Sequence, residues 1–217
     1  MLDCVILDMD GTLLDTEGAS VEAWQRTGRR FGVEISREFI LGHFGMSRGD
    51  IDQRYRDAFG PDFPIDRIRE ERVREGMRIA REDPVPVKPG ARELLEFLDR
   101  EGIPAVLATS TVMERARLLM ERSGLWDLLR DAVTGEMVPH SKPQPDIFLE
   151  AARRMGADPG RCLVVEDSES GARAGLAAGM AVAVVPDLCP IDPAVLARVR
   201  VLSSLHDVPG LVEELRG

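Results

Sequence analysis

Nowhere in this sequence do apolar residues run on for the ~18 positions that a membrane-crossing helix requires, so no membrane partner is expected. Cysteine is scarce as well. Cys4, Cys162 and Cys189 are an odd number without metal-like spacing, and the strand-like surroundings of Cys4 and Cys162 suit small buried thiols. Positive charge is also in short supply: 28 Lys and Arg stand against 38 Asp and Glu. The resulting formal charge of −10 disfavours nucleic acid, whose phosphates attract basic surfaces. No charged-then-apolar leader precedes the first apolar run, so we expect a cytoplasmic protein, and a monomer or weak dimer. Lysine is almost missing, with only Lys88 and Lys142 interrupting a basic complement that is otherwise arginine. Codon bias would explain the arginine excess but not where the two exceptions fall. There is no internal repeat and no low-complexity tract.

What is present is enough for a substantial core. Hydrophobic residues make up 44% of 217 positions, a length that suits one α/β domain with a modest insertion. The run Cys4 to Leu7 reads as a buried strand that ends abruptly in Asp8 and Asp10. Aspartate is a poor strand former, and open parallel sheets bind ligands at the carboxyl ends of their strands. Residues at i and i+2 point to the same side of an extended chain, and Gly11 then lets the backbone turn away. The same residues can also be read as a strand running into an acidic Asp-Gly turn.

Residues 16–31 fit a helix with Val21, Trp24, Gly28 and Phe31 on one stripe, and further helices fit Arg37–Leu41, Ser47–Ala58 and Asp66–Ala80. No strand-like run interrupts this stretch. Trp24 and Phe31 are expected in its core, whereas Arg67, Arg69, Arg72, Arg74 and Arg78 interleave with acids as a solvated face would. The segment ends in a stiff Pro-rich passage, Asp83 to Gly90. Charge divides along the same line: positions 16–87 hold 13 basic and 14 acidic residues, net −1, and the remainder holds 15 and 24, net −9.

From Pro89 helix and strand alternate. Apolar strands are expected at Ile103–Ala108, Asp131–Glu136, Cys162–Val165, Ala181–Val185 and Val199–Leu202. Amphipathic helices separate them, one striped by Ala91, Leu94, Leu95 and Leu98, another opened by Pro145. Strands buried on both faces and separated by helices mean a doubly wound, mostly parallel, Rossmann-like α/β sheet. Gly171, Gly175 and Gly179 form an i, i+4, i+8 stripe, which predicts close packing of one helix against the sheet.

Three strands end in polar pairs: Asp8-Met9-Asp10, Thr109-Ser110 and Glu166-Asp167. Neighbouring strands lie about 5 Å apart, so these groups can converge on one crevice. Each pair of like charges ~4 Å apart would cost ~4 kcal/mol at an effective dielectric near 20. A divalent cation relieves that repulsion, and carboxylate oxygens with water and a phosphate are what Mg²⁺ prefers. Lys142 can add one more positive charge. Thr109-Ser110 can alternatively cap the following helix.

Asp8-Met9-Asp10-Gly11-Thr12, Thr109-Ser110, Ser141-Lys142-Pro143 through Phe148, and Val165-Glu166-Asp167-Ser168 resemble, in order, the four motifs of the haloacid dehalogenase superfamily. The helical segment after the first motif resembles the cap of β-phosphoglucomutase-like and phosphoglycolate phosphatase-like members. The resemblance implies a catalytic core at 1–15 and 87–217 and a cap at 16–86 that closes over the site. It implies that Asp8 is the nucleophile, becoming an aspartyl phosphate, and that Asp10 is the general acid and then the base. The Thr109 hydroxyl and Ser110 amide would hold the phosphoryl oxygens, with Lys142 neutralising charge and ordering Asp8. Mg²⁺ would be held by Asp8, the Asp10 carbonyl and Asp167, with Glu166 a direct or water-mediated carboxylate. In the cap, Phe44-Gly45-Met46-Ser47-Arg48 resembles a substrate loop, making Arg48 the candidate grip for a distal anion.

Three departures favour a hydrolase over a mutase. Ser20 stands where mutases place a histidine, Val112 and Met113 replace sugar-holding polar residues, and Ser141 replaces a glycine. A phosphatase of a small phosphorylated metabolite is therefore expected, with a β-phosphoglucomutase-type sugar phosphomutase as the alternative and a non-catalytic phospho-acceptor as a third reading.

Overall fold

Short apolar runs bounded by Gly, Pro and polar residues become strands only where helices cover both of their faces, and this chain supplies both parts. The computed structural model describes residues 2–42 and 48–217, with Arg48 described by its backbone alone. In chain order the elements are β1 (Cys4–Leu7), α1 (Glu17–Arg30), α2 (Arg37–Leu41), α3 (Arg48–Phe59), α4 (Ile65–Glu82), α5 (Ala91–Arg100), β2 (Ala105–Thr109) and α6 (Met113–Arg122). There follow β3 (Asp131–Thr134), α7 (Asp146–Met155), β4 (Cys162–Glu166), α8 (Glu169–Ala177), β5 (Ala181–Val184), α9 (Pro193–Leu196), β6 (Arg200–Val201) and α10 (Val208–Arg216). They gather into two compact units, Met1–Asp15 with Val85–Gly217, and Thr16–Pro84.

The larger unit is an all-parallel six-stranded sheet in the order β3-β2-β1-β4-β5-β6. β1 is central, with Leu7 beside Leu107 of β2 on one side and Val165 of β4 on the other. The connection from β3 to β4 crosses the sheet, so the strand order reverses at β1/β4, where open α/β sheets place their ligand crevice. Residues of β1, β2 and β4 are buried throughout, which is why they read as unbroken apolar runs. Cys4 and Cys162 are paired in register on β1 and β4, fully buried, with their sulfurs 3.4 Å apart.

The two passages that lead out of and back into this unit run antiparallel. Leu14 bridges Val87, Asp15 N donates to Pro86 O at 3.0 Å, and Lys88 N donates to Leu13 O at 3.0 Å. Lys88, one of the two lysines, then pairs with Asp187 beyond β5 at 2.8 Å.

The smaller unit is helical. Val21, Trp24, Ile35, Ile40, Tyr55, Phe63, Ile65 and Ile68 form its core, against which Phe31 is partly buried. Trp24 stacks on Tyr55 with ring centroids 5.1 Å apart. The arginines of α4 are not one solvated face. Arg74 is 70% exposed, but Arg78 reaches Glu75, whose side chain is 1% exposed and also meets Arg26 and Arg30 of α1.

Two elements, α9 and α10, are not among the expected helices. α10 carries Val208, Leu211, Val212 and Leu215 at i, i+3, i+4 and i+7, with Pro209 and Gly210 interrupting the pattern near its start, while Ser204 and Asp207 cap the turn before it. No helix of the described residues is long and apolar enough to cross a membrane.

Candidate active site

Beyond Leu7 the chain leaves the sheet in a tight turn. Asp8 N still donates to Val165 O at 3.0 Å, but Leu13 N and Leu14 N then both close onto Met9 O. Gly11 sits at φ +87°, a backbone conformation that disfavours side chains, and a Cβ there would lie 2.3 Å from Asp167 Oδ2. The turn and its glycine thus bring the first strand end against the carboxylate after β4. Thr12 completes the contact, donating its hydroxyl to Asp167 Oδ1 at 3.1 Å. Met9 is fully buried and Asp8 is 7% exposed.

Lys142 comes from the loop between β3 and α7, followed by a cis Lys142–Pro143 peptide. Its ammonium donates to Asp8 Oδ1 at 2.5 Å, Glu166 Oε1 at 2.6 Å and Ala108 O at 3.0 Å, and lies 5.0 Å above the Phe148 ring. Burial opposes its charge, but Asp8 and Glu166 outweigh burial and hold the lysine above its ordinary range. Glu166 Oε2 accepts from Asp167 N (3.2 Å), Ser168 N (3.2 Å) and Ser168 Oγ (2.8 Å). Both Glu166 oxygens therefore have protein donors. Ser168 also caps α8, accepting from Gly171 N at 3.1 Å.

Asp8, Glu166 and Asp167 each offer a carboxylate oxygen, all within 4.8 Å of one another. One lysine cannot neutralise three anions. Burial, opposed by Lys142 and reinforced by Glu166 and Asp10, pushes the Asp8 carboxyl up to about 7. Burial and the charges of Glu166 and Asp8 push Asp167 up to about 9, against the pull of Thr12 and Lys142. Such a cluster of hard oxygens with surplus negative charge is chemically suited to Mg²⁺. Each of the three already accepts a protein donor, Asp8 and Glu166 from Lys142 and Asp167 from Thr12, and each carboxylate keeps lone pairs that an ion could share.

Thr109, at the end of β2, is buried, whereas Ser110 is exposed. Their hydroxyls do not cap α6. The cap position falls on Val112, without a side-chain bond, and Glu136 Oε1 accepts from Met113 N at 3.2 Å instead. Thr109 Oγ1 accepts from Thr111 N at 3.1 Å and faces Asp10 Oδ2 at 3.5 Å, and Thr111 Oγ1 donates to that same oxygen at 2.7 Å. Sequence reasoning passed over Thr111, because a threonine two residues beyond a strand end resembles an ordinary cap.

The structure thus brings together Asp8, Asp10, Thr109, Lys142, Glu166 and Asp167. Positions 44–47 of the expected substrate loop, and the Arg48 side chain, lie outside the described residues.

The glycine stripe finds its reason at this site. A Cβ on Gly171 would lie 1.8 Å from the Glu166 carboxyl group, and one on Gly175 would lie 2.8 Å from Val182. Gly179, just past the helix, sits at φ +75°.

Comparisons with known proteins point to one family. Residues 2–179 match the model of the haloacid dehalogenase-like hydrolase family. A phosphorylated carbohydrates phosphatase of Thermotoga maritima is 31% identical over 183 residues, covering 82% of each chain. The bifunctional riboflavin kinase/FMN phosphatase of Arabidopsis thaliana is 30% identical over 206 residues; the match takes in 94% of this chain but only 54% of that one. Among solved structures, a haloacid dehalogenase family hydrolase of Deinococcus radiodurans with bound phosphate and sodium superposes with a TM-score of 0.79 at 28% identity, covering 99% of this chain and 96% of the other. This chain belongs to the haloacid dehalogenase-like hydrolase family.

Proposed function

We propose that the protein is a Mg²⁺-dependent phosphatase of small phosphorylated carbohydrates, working through a phosphoryl-aspartate. The observation that carries this reading is the buried Lys142 ammonium bridging Asp8 and Glu166 beside Asp167, at the strand ends where the sheet order reverses.

In the first half-reaction an Asp8 carboxylate oxygen bonds to phosphorus as the bond from phosphorus to the leaving oxygen breaks. Asp10 gives its proton to that oxygen, so the alcohol leaves neutral. In the second, Asp10 takes a proton from water as the water oxygen bonds to phosphorus and the bond to Asp8 breaks. Lys142 keeps Asp8 ionised and oriented, while Glu166 orients Lys142. The Thr109 hydroxyl and the Ser110 amide are assigned to the phosphoryl oxygens. Asp8, Asp167 and the Asp10 carbonyl would hold Mg²⁺, which when bound would neutralise the transferring phosphoryl group and lessen repulsion among the carboxylates. Positioning and electrostatics are what phosphoryl transfer demands of a protein.

Residues 16–86 are assigned the role of a cap, and Arg48 the grip on a distal anion. Carbohydrate phosphates are the favoured substrates because the Thermotoga relative is named for them. Hydrolysis is favoured over mutation because Ser20, Val112 and Met113 replace the mutase residues.

The test is phosphate release in MgCl₂ across sugar phosphates, polyol phosphates, phosphoglycolate and nucleotides, with glucose 1-phosphate followed for conversion to glucose 6-phosphate. Release that disappears in Asp8→Asn and Asp10→Asn supports the reading. Isomer conversion without release, or full activity in Asp10→Asn, refutes it.

A further inference from the structure

We propose that Thr111 is a positioning residue for the acid/base carboxyl of Asp10, a role that rests on the phosphatase reading above. Its hydroxyl donates to Asp10 Oδ2 at 2.7 Å across 101 positions of sequence, and the Thr109 hydroxyl faces the same oxygen at 3.5 Å. The two hydroxyls are tied to each other, because Thr111 N donates to Thr109 Oγ1. Asp10 lies past the end of β1, at the start of the Gly11 turn and in an isolated bridge with Leu14, a backbone setting that leaves its carboxyl torsion to side-chain partners. Two hydroxyls converging on one oxygen from the end of a central strand supply them.

The local chemistry points the same way. A threonine just ahead of an α-helix ordinarily caps it. Here α6 takes Val112 as its cap residue with no side-chain bond, and Glu136 satisfies the Met113 amide. The Thr111 hydroxyl is thus released from capping and directed to Asp10. A hydroxyl also suits both half-reactions, since it can donate to the ionised carboxylate and accept from the protonated one.

Positioning of an acid is felt most where the leaving group most needs a proton. Phenyl phosphate and p-nitrophenyl phosphate are close in size but differ in leaving-group basicity, and kcat/KM for both reports formation of the phosphoryl-aspartate. Thr111→Val keeps the shape and removes the hydroxyl. We expect it to lower kcat/KM for phenyl phosphate ~10-fold or more beyond its effect on p-nitrophenyl phosphate, with Thr111→Ser restoring the wild-type ratio. Circular dichroism and the thermal midpoint establish that each variant is folded. An equal loss on both substrates, no loss, or a Ser variant as impaired as Val overturns the proposal. Asp10→Asn, run in parallel, separates the two levels of inference. If it discriminates between the substrates and Thr111→Val does not, only the role of Thr111 falls. If Asp10→Asn slows both equally, the acid role of Asp10 falls and the proposal with it.

Discussion

Replacing Gly171 by alanine sets two effects of known sign against each other. Gly171 lies inside α8, where glycine costs ~1 kcal/mol relative to alanine, so helix propensity alone predicts a more stable protein. In the folded site the new methyl would lie 1.8 Å from the Glu166 carboxyl, and ordinary contact begins near 3.4 Å. Glu166 would have to retreat by the difference, about 1.6 Å. A glutamate at the surface would swing aside at little cost, but this one is 1% exposed and accepts from Lys142, Asp167 N and both donors of Ser168. Breaking the charged bond to Lys142 alone forfeits roughly 1.5–3 kcal/mol, and disrupting a buried ion pair costs ~3–5 kcal/mol. Loss exceeds gain, leaving Gly171→Ala about 2 kcal/mol or more less stable. Displacing Lys142 by ~1 Å should also lower kcat by roughly 100-fold. Urea titration followed by far-UV circular dichroism gives the first number, and phosphate release gives the second. Gly175→Ala is the control: its methyl would meet Val182 and Val164, not Glu166, so it should cost stability with kcat within about two-fold. A Gly171→Ala protein that is more stable and fully active would refute the packing argument.

Three further outcomes follow from the same structure. Asp167→Asn removes a buried carboxylate held up to about 9, a group whose preference for protonation in the fold lowers stability once pH exceeds its ordinary range. The metal-free variant should therefore be ~1–3 kcal/mol more stable at pH 7, while the MgCl₂ concentration for half-maximal activity rises at least ~10-fold. Lys142→Met should lower kcat about 1,000-fold, comparable to losing a main electrostatic stabiliser, and push the Asp8 carboxyl above its present value near 7. Residual activity should accordingly rise toward higher pH, and a wild-type pH profile would contradict the role given to this lysine. In the helical unit, three arginines hold the buried Glu75 carboxyl down at about 2, below its ordinary 4.5. That stabilisation, roughly 3 kcal/mol, is present above pH 4.5 and is lost as pH falls from there toward 2. Glu75→Gln should be less stable at pH 7 and nearly indifferent to this acid range, which acid unfolding monitored by circular dichroism will check.

Much of the architecture was legible from residue order. Each expected strand became a strand, with ends matched to within two residues. β1, β2 and β4 were the plainest because a strand covered on both faces must be apolar along its length, whereas β6 at the sheet edge is exposed. The antiparallel pairing of 13–15 with 86–88 was foreshadowed only by a Pro-rich passage, and the stripe of α10, Val208, Leu211, Val212 and Leu215, was masked by Pro209 and Gly210. The carboxylates at the ends of β1 and β4, and the rare lysine at position 142, are groups that the fold does bring together. Glu166 read as a direct or water-mediated metal carboxylate, and its hydrogen bonds were not legible at all. In the fold both of its oxygens accept from Lys142, Ser168 and the Asp167 amide.

Hydrophobic period and strand-end polarity are local properties, so the sequence by itself determined the α/β class, the helical insertion and the identity of the acidic and basic groups. Which oxygen each donor reaches depends on strand order and turn geometry, which set side chains 24 to 134 positions apart within 3 Å. Only the tertiary structure could decide that Lys142 joins Asp8 to Glu166, that Thr111 turns from its helix to Asp10, and that Gly171 leaves room for a carboxylate.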